Sequence, residues 1–451
     1  MQALIMAGGR GTRISAISSG LPKALIPLNG VSALERQIAC LRRQGITEIT
    51  LATGYRGEEI ARYFGDGSGV SPATGMPFGV QIRYFMEERP LGSGGALFQI
   101  RDSFRDDFLL LNGDLVFDVD LRRFAEFHRV HGGLATLFSH PNSHPYDSGL
   151  LETDSYGQVL NWFAREDPRP TFYHNQVNAG LHILSPTLLD QPPNGVDTSG
   201  NALVDLDRQI LKPLAGTGRL FAYESPEYVR DMGTPERYRT VCEDLKRGIV
   251  AAKNRSLPQR AIFLDRDGVL NRHSGFIRTP AALELLADVP AAVRQINASA
   301  YLAIVVTNQP VIARGDATEA QLRKIHNKLE TLLGQDGAYL DRIYYCPHHP
   351  DRGFPGEVPE LKIDCSCRKP KAGMLLQAAE DFHLDLARCW MVGDDERDIA
   401  AGKRAGCKTA LIESGQADKK QDFGQDVTVS SLLEFTKTIL RAETSSKGGF
   451  L

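Results

Sequence analysis

The sequence predicts an α/β protein that consists of two domains. The chain has 451 residues, which is too long for one ordinary hydrophobic core. In both halves, short apolar runs alternate with helical patterns, and this alternation is typical of a mainly parallel sheet covered by helices. The alternation lapses in the charged stretch 246–259. We therefore predict domains at 1–245 and 260–442, a linker at 246–259 and a disordered tail at 443–451.

The elements of the first half follow from the spacing of its apolar residues. Ser32 is expected to cap a helix, because its hydroxyl can accept a backbone hydrogen bond and Glu35 follows three residues later. The predicted strands are 3–7, 48–53, 80–85 and 108–111, and the predicted helices are 32–43, 58–64 and 121–131. Ligands of such sheets bind beyond the carboxyl ends of the strands.

The composition and the charge argue against several classes of function. Hydrophobic residues make up 42% of the chain and charged residues 24%, as in globular proteins. The net charge of −3 argues against a general nucleic-acid binder. No apolar run approaches the length of a membrane-spanning helix, and the N-terminus lacks the basic start of a secretory signal. We therefore expect a cytoplasmic protein without disulfides, whose partners are small molecules and neither nucleic acids nor membranes, with the oligomeric state left open.

A pair of carboxylates in the second half carries the strongest chemical signal. An apolar run is followed by Asp265 and Asp267. Residues i and i+2 leave a strand on the same side, so both carboxylates can converge on one ligand. One can attack phosphorus while the other handles the proton of the leaving group, with a hard cation between them. A single pair of this kind also occurs in surface loops, but here Thr307, Asn308 and Asp394 follow two further apolar runs.

These three strand ends together resemble the haloacid dehalogenase (HAD) superfamily of phosphatases. The resemblance implies that Asp265 is the nucleophile, which forms an aspartyl phosphate, and that Asp267 is the general acid and then the general base. It also implies that Thr307 and Asn308 hydrogen-bond the transferring phosphoryl group. Asp394 would complete a Mg²⁺ site with Asp265 and with the backbone carbonyl of Asp267.

A pattern of cysteine and histidine predicts a structural zinc site. The expected ligands are Cys346, His348, Cys365 and Cys367. Three sulfurs and one imidazole make a closed tetrahedral set, which favours structural over catalytic Zn²⁺. Packing of the cysteines in a core is the alternative, and the adjacent His349 could compete with His348. The intervening loop is rich in proline and glycine, so we expect it to lack its own core and to depend on zinc for its folding.

The residues after the zinc ligands extend the resemblance. Arg368 and Lys369 follow the last ligand directly, so the zinc loop would fix two cations near the active site, one for the phosphoryl group and one for the rest of the substrate. A solvated basic pair is the alternative. The whole pattern resembles the heptose bisphosphate and histidinol phosphate phosphatases, which share this loop. That resemblance places His273, Ser274 and Gly275 near the substrate.

A glycine-rich turn follows the first predicted strand. It contains Gly8, Gly9, Gly11, Thr12 and Arg13. Glycines let backbone N–H groups approach a phosphate chain, and an arginine adds positive charge. The spacing fits neither a Walker A motif nor a Rossmann dinucleotide motif, and a purely structural turn is the alternative.

Together with Lys23 in a Pro–Lys pair, this turn resembles the sugar-1-phosphate nucleotidylyltransferases. The resemblance implies attack of a sugar 1-phosphate oxygen on the α-phosphorus of a nucleoside triphosphate, with release of pyrophosphate. Catalysis would rest on positioning and on charge neutralisation by Mg²⁺, Arg13 and Lys23. Asp114 and Asp231 would hold this Mg²⁺, although a plain turn and a helix-terminal acid are the alternatives for these two aspartates.

The same resemblance assigns further binding residues. Gly92 and Gly94 would lie in the loop for the nucleobase and ribose, Asn112 next to the metal-binding aspartate, and Asn178 on the sugar-binding strand. The chain departs from the family at Arg165, where the family often carries a phenylalanine-x-Glu-Lys sequence whose lysine contacts the sugar phosphate. The two resemblances imply an N-terminal Rossmann-like nucleotidyltransferase fold with a mixed sheet and a C-terminal HAD-like Rossmannoid domain with a zinc loop.

The two resemblances fit one reaction sequence. Removal of the 7-phosphate from D-glycero-α-D-manno-heptose 1,7-bisphosphate gives a heptose 1-phosphate, which a transferase can join to GMP from GTP. The setting implied by the resemblance is the synthesis of precursors for bacterial cell-surface glycans. The alternatives are a histidinol-phosphate-like or other sugar phosphatase fused to a transferase for another sugar such as mannose 1-phosphate, a phosphatase with a regulatory nucleotide-binding domain, and a zinc-dependent nucleic-acid binder, which the net charge opposes.

Overall fold

The computed structural model describes residues 1–9, 11–18, 20–190, 192, 195–199, 203–413 and 422–446. The chain divides into two compact units by its internal contacts. Unit 1 consists of Met1–His140, Gly149–Asp167 and Gln176–Asn254, and unit 2 consists of Pro141–Ser148, Pro168–Asn175 and Arg255–Leu451. The main division therefore falls within the stretch 246–259, and two short segments from the first half of the sequence group with unit 2.

Both the predicted linker and the start of the predicted tail contain helical residues. A short helix, Ile249–Ala252, lies inside the stretch 246–259. The last helix runs through Ser446, so residues 443–446 of the predicted tail are helical, and residues 447–451 lie outside the described residues. Among the helices that the structure describes, none combines the length and the apolar character needed to cross a membrane.

Unit 1 is built on a mixed sheet. Its strands are β1 (Ala3–Met6), β2 (Pro27–Leu28), β3 (Val31–Ser32), β4 (Glu48–Thr53), β5 (Gln81–Met86), β6 (Phe108–Asn112), β7 (Leu115–Asp118), β8 (Ala135–His140), β9 (Leu150–Thr153), β10 (Val159–Phe163), β11 (Val177–Leu184), β12 (Leu220–Glu224) and β13 (Tyr228–Asp231). Nine of them form one sheet in the order β10-β9-β11-β6-β1-β4-β5, with β8 paired to β11 and β12 paired to β8. Strands β6, β1, β4 and β5 run parallel, whereas β11 runs antiparallel to β6. The predicted mixed sheet is confirmed.

The helices of unit 1 cover this sheet. They are α1 (Ser15–Ser18), α2 (Ala33–Arg43), α3 (Gly57–Phe64), α4 (Gly95–Gln99), α5 (Leu121–His131), α6 (Thr187–Asp190), α7 (Pro235–Lys246) and α8 (Ile249–Ala252), together with a π-helical segment at Leu206–Leu211. The predicted cap of α2 is confirmed, because the Ser32 hydroxyl accepts a hydrogen bond from the backbone N–H of Glu35 at 3.2 Å. Side chains of β6 alternate between two cores: Leu109 and Leu111 face one, and Phe108 and Leu110 the other.

Unit 2 contains a six-stranded parallel sheet. Its strands are β14 (Arg260–Leu264), β15 (Tyr301–Asn308), β16 (Arg342–Cys346), β17 (Trp390–Gly393), β18 (Lys408–Ile412) and β19 (Val427–Val429), in the order β16-β15-β14-β17-β18-β19. The order reverses between β14 and β17. Ligands of open α/β sheets bind at such a reversal, beyond the carboxyl ends of the strands.

Helices pack on both faces of this second sheet. They are α9 (Val289–Asn297), α10 (Glu319–Gln335), α11 (Gly373–Phe382), α12 (Glu396–Ala405) and α13 (Leu432–Ser446). The four residues of strand β14 after Arg260 are buried, with Ile262 and Leu264 in one core and Ala261 and Phe263 in the other. Burial on both faces explains why the strand is a continuous apolar run. It also places Asp265 at the reversal point.

Candidate active sites

Two strand ends and the first turn of a helix bring carboxylates together in unit 2. Asp265 follows β14 and donates its backbone N–H to the carbonyl of Val392 on β17 at 3.0 Å. The carboxylate oxygens of Asp265, Asp394 and Asp398 lie within 4.8 Å of one another. Asp398, from the first turn of α12, was not predicted from the sequence. The side chain of Asp267 is not part of this group, and the contribution of its backbone carbonyl to the Mg²⁺ site stays a prediction.

The glycine that follows the two aspartates is required by geometry. Gly268 has a φ of +85°, and a Cβ at this position would lie 1.9 Å from an oxygen of Asp394. Any other residue would therefore both strain the backbone and displace a carboxylate of the cluster.

Lys369 is the cation of this cluster. Its Nζ lies 2.8 Å from Oδ1 of Asp265 and 2.6 Å from Oδ1 of Asp398, and the side chain is only 2% exposed. Burial favours the neutral amine, but the charges and hydrogen bonds of Asp265 and Asp398 raise its pKa above the usual value. Lys369 is therefore a charged ammonium in contact with the predicted nucleophile.

Asn308 contacts the backbone of Lys369 in both directions. Its Nδ2 donates to the carbonyl of Lys369 at 3.0 Å, and its Oδ1 accepts from the N–H of Lys369 at 3.0 Å. Both ends of the Asn308 amide are therefore already hydrogen-bonded. The predicted contact of this side chain with a phosphoryl group would compete with these two bonds. The hydroxyl of Thr307 accepts from Nε2 of Gln309 at 2.9 Å.

Asp267 is held in a network that favours its ionised form. The guanidinium of the fully buried Arg266 donates to both carboxylate oxygens at 2.8 Å. Asn271 and Gln309 donate to the same carboxylate at 3.0 and 3.1 Å. Burial opposes ionisation, but Arg266 and the hydrogen bonds outweigh it and lower the pKa of Asp267. As placed, Asp267 is a proton acceptor. The general-acid role additionally requires a nearby dianionic phosphate, which would raise its pKa.

The carboxylate cluster suits a hard divalent cation. Burial and the neighbouring charges of Asp265 and Asp395 raise the pKa of Asp394 to about 7. Burial also raises the pKa of Asp398, against the effect of Lys369. Asp265, Asp394 and Asp398 thus place three acidic groups against one ammonium. An excess of converging carboxylate oxygens is the donor set that Mg²⁺ takes.

The four predicted zinc ligands lie together in unit 2. The sulfurs of Cys346, Cys365 and Cys367 lie 3.2–3.5 Å apart, and Nδ1 of His348 lies 3.3 Å from Sγ of Cys367 and 3.7 Å from Sγ of Cys346. These separations are too long for a disulfide, and all three cysteines are free. A tetrahedron with metal–sulfur bonds of ~2.3 Å has edges of about 3.8 Å, close to the observed distances. The group therefore fits zinc. His349 lies outside it and accepts a hydrogen bond from Asp351 N.

The loop between the two pairs of zinc ligands carries an aromatic ring that contacts two cations. The ring of Phe354 lies 4.2 Å from the guanidinium of Arg314 and 4.4 Å from the ammonium of Lys362. Lys362 is almost fully buried and donates to the carbonyl of Asp351 at 2.7 Å. The loop therefore has local cation–π contacts, one of them to Arg314 outside the loop, and its dependence on zinc for folding stays a prediction.

The other predicted substrate residues of unit 2 surround the cluster less closely. Arg368 is half-buried, and its guanidinium donates to the carbonyl of His348 at 3.3 Å. His273 is exposed, with Nδ1 4.0 Å from an oxygen of Asp394. Ser274 and Gly275 are exposed, and within the part of the chain that the structure describes they form no hydrogen bond with the cluster.

The glycine-rich turn of unit 1 lies at the carboxyl end of β1. Gly11 has a φ of +63°, and a Cβ there would lie 2.9 Å from Cβ of Lys23. Its carbonyl accepts from Ile14 N at 3.1 Å, which starts a 3₁₀ turn that contains Thr12 and Arg13. Gly8 packs against the backbone of the strand end at β4, whereas Gly9 faces open space. The turn therefore brings Lys23 beside the glycines that the sequence singled out.

A small antiparallel ladder brings the two predicted metal-binding aspartates together. Strands β7 and β13 pair with Asp231 opposite Leu115, and Met232 N donates to the carbonyl of Asp114 at 3.1 Å. Carboxylate oxygens of Asp114 and Asp231 lie 3.7 and 2.7 Å from the position that a Cβ on Gly233 would occupy. Two carboxylates are the usual protein contribution to a Mg²⁺ site that also uses substrate oxygens, so the pair fits the ion.

Each of these aspartates is paired with a basic side chain. The Lys23 ammonium forms an ion pair with Asp114. Arg237, near the start of α7, lies 2.9 Å from an oxygen of Asp231, and Arg13 points to the same Gly233 position at 3.6 Å. Burial opposes ionisation of Asp231, but Arg237 outweighs it and lowers its pKa. Arg237 was not predicted from the sequence.

Gly92 and Gly94 are explained by close packing within unit 1. A Cβ on Gly92 would lie 2.4 Å from the carbonyl oxygen of Val204, and a Cβ on Gly94 would lie 2.8 Å from Ile210. Gly94 N also donates to the carbonyl of Val204 at 2.9 Å. Their predicted contact with a nucleotide stays a prediction.

The predicted sugar-binding strand lies beside Asn112. A Cβ on Gly180, which has a φ of +77°, would lie 2.5 Å from Nδ2 of Asn112. Asn178 donates to the carboxylate of Asp207 at 3.2 Å, a contact that the sequence did not predict. Arg165, where the family often carries its lysine-containing sequence, is exposed and lines a cavity next to Asp207.

Comparisons with known proteins agree with this division. A family model described as nucleotidyl transferase matches residues 2–248, and a HAD-hydrolase-like model matches residues 366–435. The chain is 30% identical over 252 residues to a mannose-1-phosphate guanylyltransferase of Mycobacterium tuberculosis, covering 55% of this chain and 66% of that protein. It is 40% identical over 172 residues to a D-glycero-beta-D-manno-heptose-1,7-bisphosphate 7-phosphatase of Haemophilus ducreyi, covering 37% of this chain and 92% of that protein.

Among solved structures, HddC from Yersinia pseudotuberculosis complexed with GMP-PN is 24% identical, with a TM-score of 0.43, and covers 54% of this chain and 99% of that chain. The family matches cover different parts of the sequence: the first contains the unit 1 site, and the second contains Lys369, Asp394 and Asp398 of the unit 2 cluster. The chain belongs to the nucleotidyl transferase family through residues 2–248 and, through its second half, to the HAD-like phosphatase family of the heptose bisphosphate 7-phosphatases.

Proposed function

We propose that this protein is a bifunctional enzyme of GDP-heptose synthesis. It removes the 7-phosphate of D-glycero-α-D-manno-heptose 1,7-bisphosphate and transfers GMP from GTP to the resulting heptose 1-phosphate, releasing pyrophosphate. The observation that carries the proposal is the presence of both families in one chain. Removal of the 7-phosphate leaves the sugar 1-phosphate that a nucleotidyl transferase requires. A cytoplasmic location is part of the proposal, since GTP is supplied there.

The phosphatase step assigns a role to each group of the unit 2 cluster. Asp265 attacks phosphorus, the bond to the 7-oxygen of the sugar breaks, and an aspartyl phosphate forms. Lys369 balances the charge of the nucleophile, and Asp267 supplies the proton for the leaving oxygen once the bound phosphate has raised its pKa. Asp267 then removes a proton from the water that hydrolyses the aspartyl phosphate. Asp265, Asp394 and Asp398 would hold Mg²⁺, which would neutralise phosphate charge during both steps.

The transferase step needs no covalent intermediate. An oxygen of the sugar 1-phosphate attacks the α-phosphorus of GTP, and pyrophosphate leaves. Arg13 and Lys23 supply positive charge beside the glycine-rich turn. Asp114 and Asp231 would hold Mg²⁺, which would neutralise the triphosphate. The present ion pair between Lys23 and Asp114 implies that Lys23 becomes available to phosphate when a cation takes over Asp114.

The second candidate acceptor is mannose 1-phosphate. The relative matched by the first half of the chain is a mannose-1-phosphate guanylyltransferase, which supports GTP as donor and a manno-configured acceptor. The phosphatase relative is named for the β-anomer of the heptose, whereas the proposal specifies the α-anomer. Acceptor and anomer therefore have to be compared directly.

One assay tests the proposal. The protein is incubated with each anomer of heptose 1,7-bisphosphate, with and without GTP, while phosphate and pyrophosphate are measured separately. Phosphate release alone without GTP, and both products with GTP, are expected for the α-anomer. The four ribonucleoside triphosphates and dTTP, each with heptose 1-phosphate or mannose 1-phosphate, define the donor and acceptor. Absence of pyrophosphate with every pair would support a regulatory nucleotide-binding unit instead, and a preference for CTP, UTP or dTTP would move the protein to another sugar pathway.

A further inference from the structure

A polar cavity in unit 1 lies beside the predicted sugar-binding strand. Its volume is about 250 Å³, and its lining includes Trp162, Arg165, Glu166, Asp207 and Lys212. Asp207 is part of the π-helical segment Leu206–Leu211. The cavity is smaller than the roughly 300–1,000 Å³ typical of sites for drug-sized ligands, and a pocket of this size and polarity suits a small polyhydroxylated molecule.

Asp207 is connected to the strand through Asn178. Nδ2 of Asn178 donates to Oδ1 of Asp207 at 3.2 Å. Burial and the charge of Asp205 raise the pKa of Asp207 to about 6, against the effect of Arg208, so it is ionised in mildly alkaline solution. One carboxylate of the cavity is therefore oriented by an amide that lies on β11.

A buried histidine fixes the orientation of that amide. Oδ1 of Asn178 accepts from Gly180 N at 3.1 Å, and because a backbone N–H can only donate, this atom must be the oxygen. Nε2 of His182 lies 3.0 Å from the same oxygen, so it must carry a proton and donate. His182 is 1% exposed, and burial lowers its pKa to about 3, so the ring is neutral and carries this single N–H.

The remaining ring nitrogen of His182 supports a positioning role. Nδ1 is buried and has no hydrogen-bond partner among the described residues. An unpaired buried polar atom costs free energy, typically about 1–3 kcal/mol. Packing alone therefore does not account for a histidine at this position. Its one satisfied contact is the hydrogen bond that directs the amide of Asn178 toward Asp207.

We propose that His182 is a positioning residue: through Asn178 it holds Asp207 so that the Asp207 carboxylate accepts hydrogen bonds from hydroxyl groups of the acceptor sugar in this cavity. The inference rests on the proposed transferase function and extends it to the sugar end of the acceptor. An ionised carboxylate accepts hydrogen bonds from sugar hydroxyls, and a half-buried carboxylate disfavours ligands that cannot supply them. The inference predicts little change in GTP binding when this contact with the sugar is removed.

Three substitutions test this inference in the full-length protein at pH 8. His182→Phe removes the donor to Asn178, whereas His182→Gln is the matched control because its amide can still donate at the same place. Asp207→Asn removes the charged acceptor without a change in size. We expect His182→Phe and Asp207→Asn to raise the KM for heptose 1-phosphate or mannose 1-phosphate about tenfold, with the KM for GTP changed less than about twofold, and His182→Gln to stay close to wild type.

Calorimetric titration separates this inference from the proposed function. Heptose 1-phosphate, mannose 1-phosphate and inorganic phosphate serve as probes without GTP. The inference predicts weaker binding of the wild-type-preferred sugar phosphate to His182→Phe and Asp207→Asn, with unchanged binding of inorganic phosphate. A wild-type protein that binds a sugar phosphate but forms no nucleotide sugar would refute the proposed function alone. The inference is overturned if the wild type binds neither sugar phosphate, or if both variants bind the preferred sugar phosphate normally. It is also overturned if the variants raise the KM for GTP as much as the KM for the sugar phosphate.

Discussion

Replacement of Asn308 by alanine should reduce the phosphatase activity through Lys369. In the structure, the Asn308 amide is bonded to the N–H and the carbonyl of Lys369, both at 3.0 Å. The Lys369 ammonium in turn lies 2.8 Å from Asp265. Removal of the amide therefore releases the backbone segment that holds the cation beside the nucleophile.

The magnitude follows from the two hydrogen bonds. Each neutral hydrogen bond contributes about 0.5–1.5 kcal/mol, so the loss of two amounts to about 2 kcal/mol. If Lys369 must be returned to its place for each turnover, this free energy adds to the barrier and lowers kcat about 30-fold. If Asn308 also contacts the phosphoryl group of the bound substrate directly, its replacement would raise KM in addition to lowering kcat.

A second asparagine in unit 2 provides the matched control. Asn297 donates to the carbonyl of Tyr339 at 2.9 Å and accepts from its N–H at 3.0 Å, the same arrangement at the end of α9. Asn297→Ala should lower the thermal stability to a similar degree as Asn308→Ala but leave kcat for phosphate release unchanged. The reasoning is refuted if Asn308→Ala keeps full kcat, or if Asn297→Ala loses as much activity.

Three further substitutions test the separate assignments. Asp265→Asn should abolish phosphate release, by about 10³-fold or more, and leave pyrophosphate release intact, because it removes the nucleophile of one unit only; parallel loss of both activities in a folded variant would contradict this. Asp114→Ala should lower pyrophosphate release by about 10²-fold or more through loss of a metal ligand, and near-normal turnover would show that the assignment is wrong. Cys365→Ser should lower the zinc content and the phosphatase activity and spare the transferase; zinc retained at wild-type affinity would remove the site from the mechanism.

The fold was largely predictable because local patterns and long-range packing agree in both sheets. The strand at 48–53 and the helix at 121–131 were predicted to the residue, since each carries a clear apolar periodicity. The ladder between β7 and β13 was not predicted, because it pairs Leu115 with Asp231, more than a hundred residues away. No local pattern records such a pairing. It nevertheless decides which two aspartates of unit 1 meet.

The sequence predicted where the site residues lie better than it predicted which side chains they contact. Strand-end motifs located Asp265 and Asp394 because parallel strands end at one edge of the sheet. Asp398 was missed, although a signal exists: it stands three residues after Asp395, the spacing of a capping box, and the structure has that capping box at the start of α12. Arg266 was passed over as the variable residue between two aspartates. Its burial and its bidentate contact with Asp267 become visible only once the strand is packed.

The contacts of Lys369 differ from those that the sequence made plausible. From the sequence, the zinc loop alone fixes this lysine, because Cys367 precedes it by two residues. In the structure, Asn308 holds its backbone and Asp398 binds its ammonium, and neither contact involves a zinc ligand. The loop also has its own packing around Phe354. After loss of zinc, Lys369 should therefore be held less firmly but still lie near Asp265, because its contacts with Asn308 of the parallel sheet and Asp398 of α12 remain.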